Sequence, residues 1–245
     1  LKISLVTVVY NAQNTIARCI ESVINQKNID LEYIIIDGGS TDNTLQIIAQ
    51  YKSVISFFIS EPDKGIYDAM NKGIKMATGN IVGILNADDH FADDLVLYSV
   101  IQAFTNPEID VLYGNLNFVD ANDKIVRKWH AKKCGNNSFN RGFMPPHPTF
   151  YSRRQLFEKL GFYELGYGSA ADYELMVRFM HKHKVRSFYL NKIMVIMRAG
   201  GVSNKNLKNR LQAWKHDLKA MRENKIAFPL LAMMLKPLQK INQFF

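Results

Sequence analysis

Residues 83–89 read Gly-Ile-Leu-Asn-Ala-Asp-Asp, so an apolar run ends in Asn86 and the adjacent carboxylates Asp88 and Asp89. Two neighbouring anions repel, and burial makes either charge costly. A solvated loop opening the next helix would tolerate the pair. So would a cation held between the pair and a bound anion. Three earlier apolar runs also end in polar or acidic groups: Tyr10-Asn11, Asp37-Gly38-Gly39-Ser40 and Glu61-Pro62-Asp63. If these runs are parallel strands, all four ends meet at one edge of a sheet, where open α/β sheets bind ligands. Carboxylate and carbonyl oxygens suit hard cations. The chemistry expected of this edge is therefore a divalent cation bridging to phosphate oxygens. Two glycine-built phosphate cradles are excluded: Val9-Tyr10-Asn11-Ala12-Gln13 carries no dinucleotide fingerprint, and no Gly-x-x-x-x-Gly-Lys-Ser/Thr occurs.

The elements that must position these groups alternate. Ile3–Tyr10, Leu31–Asp37, Val54–Ser60 and Asn80–Leu85 read as strands. Between and after them, Ile16–Ile24, Thr41–Tyr51, Ile66–Ala77 and Asp93–Phe104 carry apolar residues at helical spacing. Strand–helix alternation predicts βαβ units, a mostly parallel sheet covered on both faces, and an α/β fold. After Pro107 the pattern mixes. Val111–Tyr113, Ile125–Trp129 and Ser187–Arg198 read as strands, 131–146 as a loop, and Phe150–Leu160, Ala171–His181, Lys205–Glu223 and the final segment as helices. The predicted organisation is a body over 1–203, split into a nucleotide half (1–105) and a mixed half (106–203), followed by a helical segment over 204–245.

Net charge is +9 over 245 residues, yet from Asn204 onward nine Lys/Arg stand against two Asp/Glu, which leaves the body nearly neutral. A uniformly basic nucleic-acid binder would not be patterned this way, so no nucleic-acid partner is expected. Two cysteines form no disulfide framework, and Cys19 falls on a helical apolar stripe, which suits a reducing, cytoplasmic compartment. Leu1–Val6 lacks a basic leader and a cleavage site, and the missing initiator Met points to processing or trimming. No apolar run is long enough to span a bilayer. The basic tail, rich in Leu, Met and Phe from Phe228 to Phe245, has two readings: packing on the body or a second subunit, or lying at an anionic membrane surface on the inner face.

Five segments, in this order and spacing, resemble the family-2 glycosyltransferases of the GT-A fold, especially bacterial enzymes that build capsule, O-antigen and other exopolysaccharides. They are Thr7–Asn11, Ile36–Asp42, Gly65–Gly73, Leu85–Asp89 and Asp172–Leu175. The resemblance covers Ile3 to about Arg198. It implies an inverting, metal-dependent transfer from a nucleotide-diphosphate sugar, uridine favoured, to a glycan or lipid-linked hydroxyl. It also implies roles. Thr7, Tyr10 and Asn11 would border the base, Asp37 would bond base or ribose, and Asn71 and its neighbours would border the nucleotide. Asp88 and Asp89, with Asn86, would hold Mn2+ or Mg2+ against the diphosphate, and Asp172 would be the catalytic base. Asn86 stands where the family often has Asp, Met70 where it often has Arg, and Ala171 where an acid often precedes the base.

Several residues have a structural reading beside the functional one. Asp42, Asp93 and Asp94 suit helix starts, and Arg178 suits an internal ion pair. Trp129 and Trp214 suit the core. Asp63 and Asp68 are open between site and structure. His147 is open between a structural role and contact with diphosphate or acceptor. Two other functions use similar parts: a sugar nucleotidyltransferase, which would release pyrophosphate, and a non-catalytic sugar-nucleotide or polysaccharide binder, which would turn over nothing.

Overall fold

A computed structural model describes residues 1–199, 207–240 and 243, with backbone alone over 207–210. The described strands form one nine-stranded sheet. Its first half is the predicted parallel unit: β1 (Lys2–Val9), β2 (Asp30–Asp37), β3 (Phe57–Ser60) and β4 (Ile81–Asn86), joined through α1 (Ile16–Ile24), α2 (Thr44–Gln50) and α3 (Ile66–Met76). After β4 come β5 (His90–Phe91), α4 (Val96–Phe104), β6 (Val111–Val119), β7 (Ile125–Trp129), β8 (Tyr151–Arg153), α5 (Gln155–Leu160), α6 (Ala171–Val177) and β9 (Ser187–Arg198). The spatial order is β3-β2-β1-β4-β8-β6-β9-β5, with β7 also on β6. Register aligns the carboxyl ends: Val9 faces Asp37, Asp37 faces Ser60 and Val8 faces Asn86. The four polar strand ends therefore do share one edge.

Side chains alternate across a strand, and this sorts the core into two layers. Leu5, Ile35 and Leu85 pack with Ile16, Ile20, Val23 and Val100 of α1 and α4. Val6, Val8, Ile34, Ile36, Val82 and Ile84 pack with α3, α5 and α6 on the other face. The π-helical turn Arg178–Lys182 prolongs α6. From that turn, Arg178 lies buried on Glu174 of α6 at 2.9 Å, an internal ion pair. Asp42 accepts from the Thr44 and Gln13 amides, Asp93 from the Leu95 amide, and Asp94 pairs with Lys27, so all three serve loops and helix starts.

Three expectations are corrected. Phe150–Leu160 is not one helix: Tyr151–Arg153 pairs with both β4 and β6 in the middle of the sheet, and the helix begins at Gln155. The strand over Val54–Ser60 starts only at Phe57, because 52–54 form a short helical turn. Trp214 is 48% exposed rather than core. The last helices are α7 (Leu207–Glu223) and α8 (Pro229–Leu238). The start of the predicted helix at Lys205, the 203/204 boundary and Ile241, Phe244 and Phe245 lie outside the described residues.

Candidate active site

A cleft of about 1310 Å3, counting its open mouth, lies over the carboxyl ends of β1 and β4, with Met197 of β9 at its side. Tyr10, Asn11, Asp63, Ile66, Asn86 and Asp88 line it. Tyr10 is 63% exposed, an aromatic face left free at the cleft. Asn11 sits at φ 47°, a left-handed conformation that Asn tolerates better than most residues. Its amide donates to Ser40 Oγ at 2.8 Å, and its Oδ1 accepts from the Thr41 amide at 2.9 Å, so the loops after β1 and β2 are tied together. Asp63 Oδ1 accepts from the Gly65 amide at 2.7 Å. Its Oδ2 lies where a side chain at position 38 would begin, 2.4 Å from an ideal Cβ on Gly38 and beside the Tyr10 ring. Gly38 thus leaves room for the Asp63 carboxylate.

Asp88 is exposed at the cleft, whereas Asp89 is buried. Burial, and then the neighbouring Asp88 charge, hold the Asp89 carboxyl well above the usual carboxylate range. Asn86 Nδ2 donates to Asp89 Oδ2 at 3.1 Å. Asn86 Oδ1 and Asp89 Oδ1 are buried with no hydrogen-bond partner among the described residues. Unsatisfied buried oxygens are costly, and here two of them adjoin an exposed carboxylate. Oxygen donors in that state fit a hard cation, although among the described residues no three His, Cys, Asp or Glu cluster as a complete metal set. A cation here would take two carboxylates and an amide oxygen from the protein and its remaining ligands from elsewhere.

Thr7, Asp37, Asp68 and Asn71, named from the sequence, are not among the residues that line this cleft, and neither are Asp89, His147 and Asp172. Thr7 shares the Leu5 and Val9 side of β1, is fully buried, and accepts from the Tyr33 hydroxyl at 3.1 Å. Asp37 is fully buried. Its carboxylate takes the Gly39 and Ser40 amides and the Ser40 and Ser60 hydroxyls, at 2.5–3.0 Å, and so shapes the loop above it. Asp68 takes the Lys64 amide at 3.0 Å at the entry to α3. Asn71 clamps the Tyr163 backbone from both sides, Nδ2 to O at 2.8 Å and Oδ1 from N at 2.9 Å, which pins α3 to the 160s segment. In each case the spacing was legible, but the side-chain direction depended on neighbours distant in sequence.

Asp172 stands apart from these, at the first turn of α6. Its Oδ1 accepts the Tyr173 amide at 2.7 Å. The Tyr67 hydroxyl donates to the Ser169 carbonyl at 3.3 Å. Burial first, and then the Asp172 charge, push the Tyr67 hydroxyl pKa well above its ordinary value. His147 is buried, with Nε2 2.8 Å from the Tyr163 hydroxyl. Burial lowers the His147 pKa, against an opposing pull from Asp172. His147 is thus held on Tyr163 and does not line the cleft. Tyr67 and Tyr163, whose rings are tilted by 36° with centres 5.4 Å apart, had no role in the sequence reading. Their signal was the Gly65–Gly73 segment, which places Tyr67 one turn before Asn71.

Residues 4–168 match the model of the family described as Glycosyl transferase family 2. The chain belongs to that family. A PGL/p-HBAD biosynthesis glycosyltransferase of Mycobacterium tuberculosis is 29% identical over 210 residues, covering 82% of this chain and 78% of that one. Two solved structures share the fold. Staphylococcus aureus TarS, residues 1–349 with UDP, superposes with TM-score 0.69 at 17% identity over 96% of this chain and 68% of its own. The mannosyltransferase PcManGT from Pyrobaculum calidifontis, with GDP-Man and Mn2+, gives 0.69 at 15% identity over 97% and 72%. Against a longer TarS chain, this family-2 glycosyltransferase spans only 39% of the length. The fold is GT-A-like: a curled, mostly parallel sheet with C-terminal helices.

Proposed function

We propose that this glycosyltransferase moves a sugar from a uridine-diphosphate donor to a hydroxyl of a cell-surface glycan or its lipid-linked precursor, with inversion and with Mn2+ or Mg2+ bound. The observation that carries this reading is the cleft at the carboxyl ends of β1 and β4, in which a free aromatic face, a carboxylate and an oxygen-donor cluster succeed one another. Tyr10 stacks on the base. Asp63 Oδ2 accepts a ring N–H of the base, a group that uracil and guanine both have and cytosine lacks. TarS with UDP and PcManGT with GDP-Man and Mn2+ support a nucleotide-sugar donor and a divalent cation. Asp88, Asp89 and Asn86 would hold that cation. Its charge, when bound, offsets that of the leaving diphosphate. Asp172 Oδ1 is occupied by the Tyr173 amide, so Oδ2 takes the acceptor proton as the acceptor oxygen attacks the anomeric carbon from the face opposite the diphosphate.

A peripheral membrane location belongs to the same reading. Phe228, Leu230, Leu231, Met234 and Leu238 of the α8 segment are each at least half exposed, whereas Ala232 and Lys236 are buried. An apolar stripe turned outward beside a basic tail suits an anionic bilayer surface.

The deciding experiment follows nucleoside diphosphate release from a panel of sugar nucleotides with Mn2+, with Mg2+ and with excess EDTA. Uridine donors should turn over in either metal and stop in EDTA. Asp88→Asn should keep its circular dichroism spectrum and lose metal-dependent turnover. Full activity in EDTA, or in that variant, would refute the metal assignment, and pyrophosphate release would refute glycosyl transfer.

A further inference from the structure

A second pocket lies between the end of β7, the loop after it and the carboxyl end of α8. Trp129, His130, Lys132, Lys236, Gln239 and Lys240 are among the residues that line it, and no carboxylate does. The donor cleft carries acidic groups, so the two sites have opposite charge. Lys236 is fixed: its ammonium pairs with Asp217 at 2.7 Å and lies 3.6 Å from the centre of the Tyr173 ring. Lys132 and Lys240 have no carboxylate partner among the described residues. Lys240 is half-buried, and burial first, then Lys236 and Arg127, lower its pKa. A cation in that state gains from an anion more than a solvated one does. Asp217 first, and then Asp172, oppose that shift. Tyr173, under Lys236, is the next residue in the chain after Asp172. Close packing keeps the pocket in place: Gly142, at φ 78°, has Lys236 N and Ala232 O at 2.5 and 2.7 Å from where a Cβ would stand.

We propose that this pocket, walled by Lys132, Lys236 and Lys240, binds the phosphate or diphosphate group of the acceptor while the acceptor hydroxyl lies at Asp172. The proposal rests on glycosyl transfer with Asp172 as base, and it adds that the acceptor is anionic. Compact ammonium groups suit phosphate as point charges. Two acceptors carry that chemistry: a sugar on a lipid diphosphate and a soluble glycan with phosphodiester links. The outward apolar stripe of α8, next to the pocket, favours the first.

Trp129 lines the pocket, and the chain has two tryptophans, so a Trp214→Phe chain reports on the pocket alone. Inorganic pyrophosphate titrated in EDTA should change Trp129 fluorescence saturably. Lys132→Gln with Lys240→Gln should weaken that binding about tenfold or more, and Asp88→Asn should not. The doubly substituted chain should keep the melting shift given by UDP and Mn2+. No saturable change, a change equal in the lysine variant, or one removed by Asp88→Asn would overturn the proposal. In transfer assays the lysine variant should raise KM for a polyprenyl-diphosphate sugar in phosphatidylcholine vesicles, for a water-soluble phosphodiester glycan, or for both, and the pattern identifies the source. Unchanged KM for both would also overturn it. Loss of donor turnover with the pyrophosphate signal intact would refute the proposed reaction and leave the pocket standing.

Discussion

At the scale of single residues, two carboxylates of the proposed site, Asp172 and Asp63, differ in what surrounds them, and their substitutions should differ accordingly. Asp172 has one oxygen on the Tyr173 amide and stands at a helix start, in reach of Tyr67. In the proposed role of base it would act on the acceptor proton and not on the nucleotide. Asp172→Asn should therefore lower kcat by a factor of roughly a thousand, while donor affinity, read from the UDP melting shift, changes little. Equal loss of both would make it a binding residue. Asp63 should behave in the opposite way. Its Oδ2 stands over Gly38 beside Tyr10, a position from which it meets a base. Asp63→Ala should weaken UDP binding about tenfold, since a hydrogen bond to a charged group is worth about 1.5–3 kcal/mol. It should also narrow the preference of uridine over cytidine diphosphate in calorimetry. An unchanged ratio would remove Asp63 from base recognition.

At the scale of elements, the donor edge is only as well placed as the strands beneath it, and Glu32 is one of the groups that hold them. This buried carboxylate on β2 takes the Ser4 hydroxyl of β1 at 2.5 Å, the Thr78 amide and hydroxyl at 2.7 and 2.6 Å, and Lys2 at 3.1 Å. Burial alone would raise its pKa, but these donors together bring it down to about 2. A depressed folded-state pKa means that the stabilisation is complete above the ordinary value near 4.5 and drains away as pH falls from there to about 2. The full difference corresponds to about 3 kcal/mol. Glu32→Gln should lower the urea midpoint at pH 7, and the gap from the unsubstituted chain should close as pH falls from 4.5 toward 2. A gap independent of pH would deny Glu32 this role. The adjoining strand shows why a glycine interrupts an apolar run. Gly83 on β4 faces Tyr151 on β8, and an ideal Cβ there would meet the Tyr151 ring at 2.2 Å, so the bare backbone leaves room for that ring beside it.

At the scale of the whole molecule, charge and apolar surface are distributed unevenly. The last 42 residues carry most of the net charge, and α8 turns its large apolar side chains outward while Lys236 points in to Asp217. No described helix is long and apolar enough to cross a membrane. The membrane docking proposed above would account for both features, since each lysine or arginine near an anionic bilayer contributes about 1 kcal/mol and salt screens it. The protein should sediment with phosphatidylglycerol vesicles and not with phosphatidylcholine vesicles. Binding should weaken as salt rises, and Leu231→Glu with Met234→Glu should abolish it. Absence of binding to anionic vesicles at low salt would leave the stripe to a protein partner.

What the sequence determined by itself was periodic or local. Strand–helix alternation set the parallel half-sheet, the ends of apolar runs marked its ligand edge, and Asn86-Ala87-Asp88-Asp89 marked the oxygen donors. These are properties of neighbours along the chain, so hydropathy and residue type suffice. The tertiary structure decided which way each polar side chain points. Asp37 reads as a site carboxylate until Ser40 and Ser60 are seen to close on it. Thr7 reads as cleft lining until alternation with Leu5 and Val9 places it on Tyr33. Asn71 reads as a nucleotide contact until Tyr163, 92 residues away, takes both its amide atoms. Tyr151–Arg153 reads as helix because propensity is local, yet it forms strand because β4 and β6 leave their edges open to it. A buried polar group must find partners, and the partners available to these side chains were brought to them by folding.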